Sequence, residues 1–220
     1  MSPSFLVIGL VVIAVLWFVI NQLYFKPAEN ALRNSLQQTL NKQAAKRGGK
    51  VQVVRGNPSL TVPYKAINIE CRLIENSDEL YREFTYAVFR IPDLTNKNVA
   101  VLRNYKELLL KPVQFGARVH IADGKFNEDY VVAGNDPDFI RNLLTQKIRD
   151  KLLSHSLQVK LGVRFDAPIL NREKGWVSVF ANGVKYGDEF FDVLIETTIL
   201  IYDKLIELNG SAAGDHLKPA

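Results

Sequence analysis

An apolar run near the N-terminus governs the placement of this chain: Phe5 to Ile20 read FLVIGLVVIAVLWFVI, without one polar side chain. Extended to Phe25 as a helix, the run is about 31 Å long, close to the thickness of a bilayer's hydrocarbon core. Residues 1–25 carry no charge. The run therefore predicts a transmembrane anchor over residues 1–27.

A cleaved signal peptide is the main alternative to a retained anchor. Such a peptide has basic residues before an apolar core of about 7–15 residues, and small residues at its cleavage site. Residues 1–4 (MSPS) have no basic side chain, the apolar core is longer, and residues 21–23 (NQL) do not resemble a cleavage site. A core helix of a soluble protein is seldom apolar on every face. The sequence favours the anchor.

Positive charge is concentrated directly after the anchor. Residues 26–50 hold six basic residues and one acidic residue, whereas residues 51–220 hold 22 of each sign. A neutral domain excludes nucleic-acid binding through a broad basic face. Because positive charge stays on the cytoplasmic side, we expect a single-pass protein of the inner (cytoplasmic) membrane with its N-terminus outside. Trp17, Tyr24 and Lys26 are typical of a membrane interface.

An amphipathic juxtamembrane helix is predicted over residues 28–48. Four apolar residues recur at every fourth position, and Gly48-Gly49 ends the segment. They are Ala28, Leu32, Leu36 and Leu40. Three interpretations remain open: this stripe packs on the following domain, it forms a seam against a partner helix, or the neighbouring basic residues lie on anionic headgroups. We treat the four residues as a candidate partner seam, and self-association is possible through it.

The hydrophobic period changes to two after Gly49, which is typical of strands. The pattern predicts strands at residues 51–54, 64–74, 83–91, 99–102, 117–121, 130–132, 158–163 and 176–180, with a turn-rich stretch at 56–63. Helices are predicted from Asp136 to His155 and from Asp188 to Leu208. Strands and helices do not alternate regularly. We therefore expect a cytoplasmic α+β domain at 49–209, a mostly antiparallel sheet packed with two long helices, and a flexible tail at 210–220.

The sequence contains no recognisable catalytic or metal-binding motif. The histidines lie at no metal-ligand spacing, so no metal and no cofactor is predicted. They are His120, His155 and His216. Of the clustered carboxylates, Asp136 has the position of a helix cap and Glu128-Asp129 that of a turn. Cys71 lies in an alternating strand pattern, which predicts a buried thiol. We therefore expect a protein that is not an enzyme.

One region resembles a known group of proteins. Residues 126–137 (FNEDYVVAGNDP), followed by 140–145 (IRNLLT) and 149–153 (RDKLL), resemble uncharacterised bacterial single-pass membrane proteins of unknown function. Their shared pattern is an aromatic–acid–aromatic strand, a Gly-x-Asp-Pro helix cap and an Arg-x-Leu-Leu-Thr helix. The resemblance covers roughly the C-terminal half and implies a fold module without catalytic residues. This chain departs from the pattern at Asn127, where the group has an acid.

These observations predict a non-catalytic, membrane-anchored protein whose cytoplasmic domain mediates protein–protein interaction. Such a chain would be an accessory or assembly subunit of a membrane complex. The alternatives are a ligand- or lipid-binding sensor domain, or an enzyme without a recognisable motif. A large exposed apolar patch favours the first function, whereas a deep pocket with convergent polar groups favours the others.

The charge asymmetry predicts the topology of the chain. Alkaline phosphatase fused to the C-terminus should be inactive, and a fluorescent protein fused there should be bright, because we expect residues 26–220 inside the cell. An active phosphatase with a dark fluorescent fusion would contradict this topology.

Overall fold

One continuous helical rod leads into the folded domain. The computed structural model describes residues 3–54, 56–77, 82–91, 94, 96–104, 116–162 and 175–215. In it α1 (Pro3–Ile20) passes through a π-helical turn (Asn21–Phe25) into α2 (Lys26–Arg47). Gly48 ends α2 in the left-handed region, with a φ of 65°. The predicted boundary between anchor and juxtamembrane helix is therefore not a break in the helix.

The π-helical turn ends two residues before Pro27, and this proline accounts for the turn. A proline inside a helix has no N–H for the carbonyl four residues back, and its ring crowds that carbonyl. In the wider turn the Lys26 N–H donates to the Asn21 carbonyl, five residues back. The helix accommodates the proline by this local change of period and continues.

Among the described residues, one helix is long and apolar enough to cross a membrane. This helix runs over Gly9–Arg47, and its most apolar window has a mean hydropathy of 1.7 with no residue buried in the chain. The large side chains on it, Trp17 and Tyr24 among them, are 67% and 70% exposed. Length and composition are thus consistent with the predicted anchor.

The domain contains a single antiparallel sheet, which confirms the predicted α+β class. In the described part of the chain the sheet has nine strands, in the order β1-β2-β3-β4-β9-β8-β5-β7-β6. The strands are β1 (Lys50–Val54), β2 (Asn57–Tyr64), β3 (Ile67–Ser77), β4 (Arg82–Arg90), β5 (Val99–Arg103), β6 (Ala117–Arg118), β7 (Tyr130–Gly134), β8 (Gln158–Leu161) and β9 (Trp176–Asn182). The helices after α2 are α3 (Gly124–Asp129), α4 (Pro137–Leu143), α5 (Gln146–His155) and α6 (Asp188–Asp215).

The prediction that residues 56–63 are rich in turns is wrong, because most of them form β2. Its prolines suggested a turn, but each is paired on one side only. Pro58 is in register with Val53 of β1, and Pro63 with Asn68 of β3. A strand tolerates proline where its missing N–H has no ladder partner.

Two of the predicted helix limits are also wrong. The predicted helix from Asp136 to His155 is divided at Leu144 and Thr145, where Thr145 is extended with a ψ of 159°. The Arg149 guanidinium donates to the freed Leu144 carbonyl at 2.6 Å. The second long helix on the sheet is therefore α2, not this one. At the C-terminal side α6 continues to Asp215, past the predicted end at Leu208, and residues 216–220 of the predicted tail lie outside the described residues.

The main core lies between the helices and one face of the sheet. Its members include Leu36 and Leu40 of α2, Cys71 of β3, and Phe191 and Leu194 of α6, all at most 1% exposed. Because side chains alternate along a strand, the intervening residues form a second, smaller apolar cluster on the other face. That cluster contains Phe84, Tyr86, Val88 and Phe180.

Hydrogen bonds fix which end of the domain faces the anchor. Along α2 away from the anchor, Gln43 bonds to Asp188 and Arg47 bonds to Asp192, so α6 runs in the same direction as α2. Farther along α6, Asp203 bonds to Tyr64 at the β2–β3 hairpin. That hairpin, with the end of β4 and the start of β9, therefore forms the end of the sheet farthest from the anchor, which we call the distal end.

Two leucines of the predicted stripe should differ in their contribution to stability. Leu36 is 1% exposed and Leu32 is 47% exposed. Leu36→Ala should lower the free energy of unfolding by about 2–5 kcal/mol, because it leaves a cavity in the core. Leu32→Ala, a matched surface change, should alter it by less than about 0.5 kcal/mol. Chemical denaturation of both variants in detergent checks this, and equal losses would show that α2 is not seated as described.

Candidate functional site

The C-terminal half of α2 packs into the domain core, and we call this packed half, from Leu36 to Arg47, the seat of α2. Leu36 and Leu40 are buried, and the Thr39 hydroxyl donates to the Tyr186 carbonyl at 2.7 Å. The fully buried Gln43 side-chain amide donates to the Asp188 carboxylate, also at 2.7 Å. The prediction of a partner seam is therefore wrong for Leu36 and Leu40, since the core of the same chain already covers both.

Two basic residues at the end of α2 complete this seat. Lys46 and Arg47 donate to the same Asp192 oxygen of α6, at 2.7 and 2.8 Å. Burial raises the pKa of Asp192, but hydrogen bonds from Lys46, Arg47 and Gln43 outweigh it and leave this pKa below its usual value. The charges of Lys46 and Arg47 are therefore already paired within the chain. Lys46 and Arg47 hold α2 against α6.

The other half of α2 is an exposed stalk, which we define as residues 26–35. Wherever its side chains are described they are exposed, and Leu32 of the predicted seam is among them. The side chain of Ala28 lies outside the described residues. From Lys26 to Leu36 the helix rises about 15 Å. The stalk therefore separates the predicted membrane-interface residues Tyr24 and Lys26 from the domain by about three turns, and Trp17 lies about two turns farther from the domain.

A groove of about 450 Å³ crosses the distal end of the sheet. One wall and the floor come from the helix side and are apolar: Ile67, Ile91, Tyr202 and Ile206. The opposite wall comes from the other face of the sheet and is mostly polar, and Trp176 also lines the groove. Its members are Asn68, Glu70 and Arg90.

Charges in the polar wall are unequally neutralised. The Glu70 carboxylate accepts from Arg72 at 2.6 Å. The Arg90 guanidinium instead lies 6.0 Å from the centre of the Trp176 ring, a cation–π distance, and its side chain is exposed. Within the described residues no carboxylate forms an ion pair with Arg90.

The carboxylates singled out in the sequence do not form a catalytic pair. Asp136 caps α4, as predicted, by accepting from the Phe139 N–H at 3.0 Å, and it also pairs with Lys97. Glu128 and Asp129 end α3, at the other end of the five-residue strand β7. A strand of that length spans about 16 Å, beyond the roughly 5–9.5 Å of a glycosidase pair.

The Cys71 thiol and groupings of metal-ligating side chains are the remaining candidates for chemistry. Cys71 is buried, as predicted, and burial raises the pKa of its thiol to about 12. A thiol at neutral pH is a poor nucleophile and metal ligand. In the described part of the chain no three side chains of His, Cys, Asp or Glu are grouped as a metal site.

The residues that carry the resemblance also have folding roles. Asn127 donates through its amide to the carbonyls of Ile121 and Asp123, at 2.5 and 2.7 Å, which an ionised acid could not do. The buried Tyr130 hydroxyl lies 2.7 Å from the Leu152 carbonyl at the end of α5. A Cβ on Gly134 would clash with the Asn98 carbonyl oxygen, so only glycine fits there.

Comparison of the chain with protein-family models, with curated proteins and with solved structures gives no match. The resemblance of residues 126–153 to bacterial membrane proteins therefore stays a prediction. Packing of the stripe on the following domain, one of the three open interpretations, holds for Leu36 and Leu40, whereas the distal groove was missed in the sequence. The signal for this packing was the helical spacing, by threes and fours, of the residues that share the buried face of α2: Leu36, Thr39, Leu40 and Gln43.

Variants of Asp136 separate capping from chemistry. Asp136→Ala should cost about 0.5–2 kcal/mol of stability at pH 7, whereas Asp136→Asn, which keeps the cap and loses the Lys97 ion pair, should cost less. Bonds from Lys97 and the Phe139 N–H lower the pKa of Asp136. Its charge therefore stabilises the fold above the ordinary aspartate pKa, and this contribution is lost as the pH falls below about 4.

Urea unfolding at several pH values measures these differences. The gap between wild type and Asp136→Ala should narrow on acidification. A gap that widens as the pH falls would contradict the assigned role of the carboxylate.

Proposed function

We propose that this chain is a non-catalytic, single-pass protein of the inner membrane, with its N-terminus outside and its α+β domain in the cytoplasm, that serves as an accessory or assembly subunit of a membrane complex. The observation that carries the proposal is the continuous helix from the apolar segment into the domain core. This helix fixes both the height and the rotation of the domain relative to the anchor.

A fixed connection favours a positioning function. A domain that binds a ligand or catalyses a reaction alone needs only a tether, and flexible linkers serve that purpose in many proteins. Here two buried leucines, each contributing about 1.5–3 kcal/mol by burial, hold the anchor helix in one orientation, together with a buried glutamine and an ion pair. Such a connection is useful where the domain must meet a neighbour in the same membrane.

The stalk is the surface that such a neighbour would contact. Leu32 is four residues before Leu36, so it lies about 6 Å nearer the anchor and about 40° around the helix from the buried face. This places it outside the domain, in a gap of about three helical turns between the domain and the membrane interface. A partner that covers Leu32 occupies this gap, and we therefore propose an integral membrane protein as the partner.

A lipid-binding sensor is less consistent with this geometry. The groove lies at the distal end, beyond Arg47, and the helix rises about 32 Å between Lys26 and Arg47. A bilayer lipid does not extend that far from the interface. The placement of the groove supports a contact with a molecule from the cytoplasm.

Site-specific photo-crosslinking in intact cells tests the proposed partner contact. Benzoylphenylalanine at Leu32 should give a discrete adduct with one integral membrane protein, because this position faces the gap. The matched control is Asn34, which is also exposed and lies about 160° around the same helix. Asn34 should give no such adduct. Adducts of equal yield from both positions, or none from either, would contradict a partner in the gap.

A further inference from the structure

The distal groove has the chemistry of a second recognition site, independent of the stalk. We infer that it binds a peptide segment of a cytoplasmic protein that presents apolar side chains next to a carboxylate, with Arg90 holding the carboxylate. This surface goes beyond the proposed function, since it lies at the opposite end of the domain from the membrane.

The two walls of the groove define the amphipathic character of its occupant. Ile91 and Tyr202, each 4% exposed, form a floor that is almost closed to solvent, while Ile206 on the rim is 44% exposed. An occupant that covers Ile206 therefore removes apolar surface from water on the α6 side. On the other side it meets the polar wall.

Arg90 supplies the charge complementarity. Of the two opposite charges in the polar wall, Glu70 is already neutralised by Arg72. The cations Lys65 and Lys204 near the groove are paired as well, with Asp203 and Glu207. Within the described part of the chain Arg90 has only the Trp176 ring. A cation–π contact uses none of the guanidinium N–H groups, so these can still form two parallel hydrogen bonds to a carboxylate.

The open form of the groove favours a segment of a larger molecule over a free small acid. Small-molecule sites usually bury 70–90% of their ligand. This groove instead crosses the end of the sheet and is open to solvent along its length, with Ala66, Asn68 and Arg90 exposed on its rims. A peptide can bury two or three side chains there while the rest of its partner stays in water.

The direct test uses a displayed library of ten-residue peptides, selected against the full chain in lipid nanodiscs. Enriched peptides should carry Asp, Glu or a free C-terminus beside Leu, Ile or Phe. Binding is then measured by fluorescence with the variant Trp17→Phe, in which Trp176 is the single tryptophan of the chain. Trp176 emission should change on binding, because Trp176 lines the groove.

Charge variants assign the contact to Arg90. Arg90→Glu should weaken binding about tenfold or more. Arg90→Lys should weaken it less, because lysine keeps the positive charge and loses only the two parallel hydrogen bonds of a guanidinium. A selected peptide with its acid replaced by lysine should bind Arg90→Glu better than it binds the wild type. The matched control Arg118→Glu, on the exposed edge strand β6, should bind as the wild type does.

Three results would overturn the inference. One is the absence of any enriched peptide. Another is equal binding of selected peptides to the wild type and to Arg90→Glu when thermal melting shows both folded. The third is binding of a free apolar acid, decanoate, as tight as that of the peptides, which would assign the groove to a small ligand. None of these results bears on crosslinking at Leu32, so the two proposals fail separately.

Discussion

The burial of one face of α2 in the domain core is the interaction on which the rest of the structure depends. Leu36 and Leu40 belong to two structures at once, since they continue the helix that leaves the apolar segment and also fill the space above β2. The polar contacts of Gln43 and Arg47 with α6 then fix the rotation of α2, because a buried amide left without its partner costs about 1–3 kcal/mol. We therefore expect the predicted anchor and the domain to move as one body.

This constraint gives each end of the domain a distinct environment. In the proposed topology the stalk end lies about three turns from the membrane interface, within reach of neighbouring membrane proteins. The distal end carries the groove with Trp176 and Arg90 and faces the cytoplasm in the proposed topology. The two proposed recognition surfaces lie at opposite ends, an arrangement that suits the proposed subunit if it links a membrane protein to a cytoplasmic one.

The sequence predicts the α+β class, most strands and the capping role of Asp136, because these depend on local period and on short-range hydrogen bonds. Its errors have specific physical causes. The prolines of β2 suggested a turn because one-sided pairing cannot be seen without the neighbouring strands. The stripe of α2 suggested a partner because the sequence does not show that α6 and β2 cover Leu36 and Leu40. Arg90 carries no local signal, since its surroundings come from three strands and a helix that are distant in the sequence.

A distance measurement between stalk and domain tests the rigid connection most directly. Spin labels at Asn30 on the stalk and Asp138 on the domain are both on exposed positions, while the buried Cys71 thiol, with its raised pKa, stays unlabelled. Pulsed electron paramagnetic resonance in nanodiscs should then give one narrow distance distribution, which broadens when Leu36→Asp removes the seat. A broad distribution in the protein without that substitution would show that α2 is a flexible tether and would contradict the account.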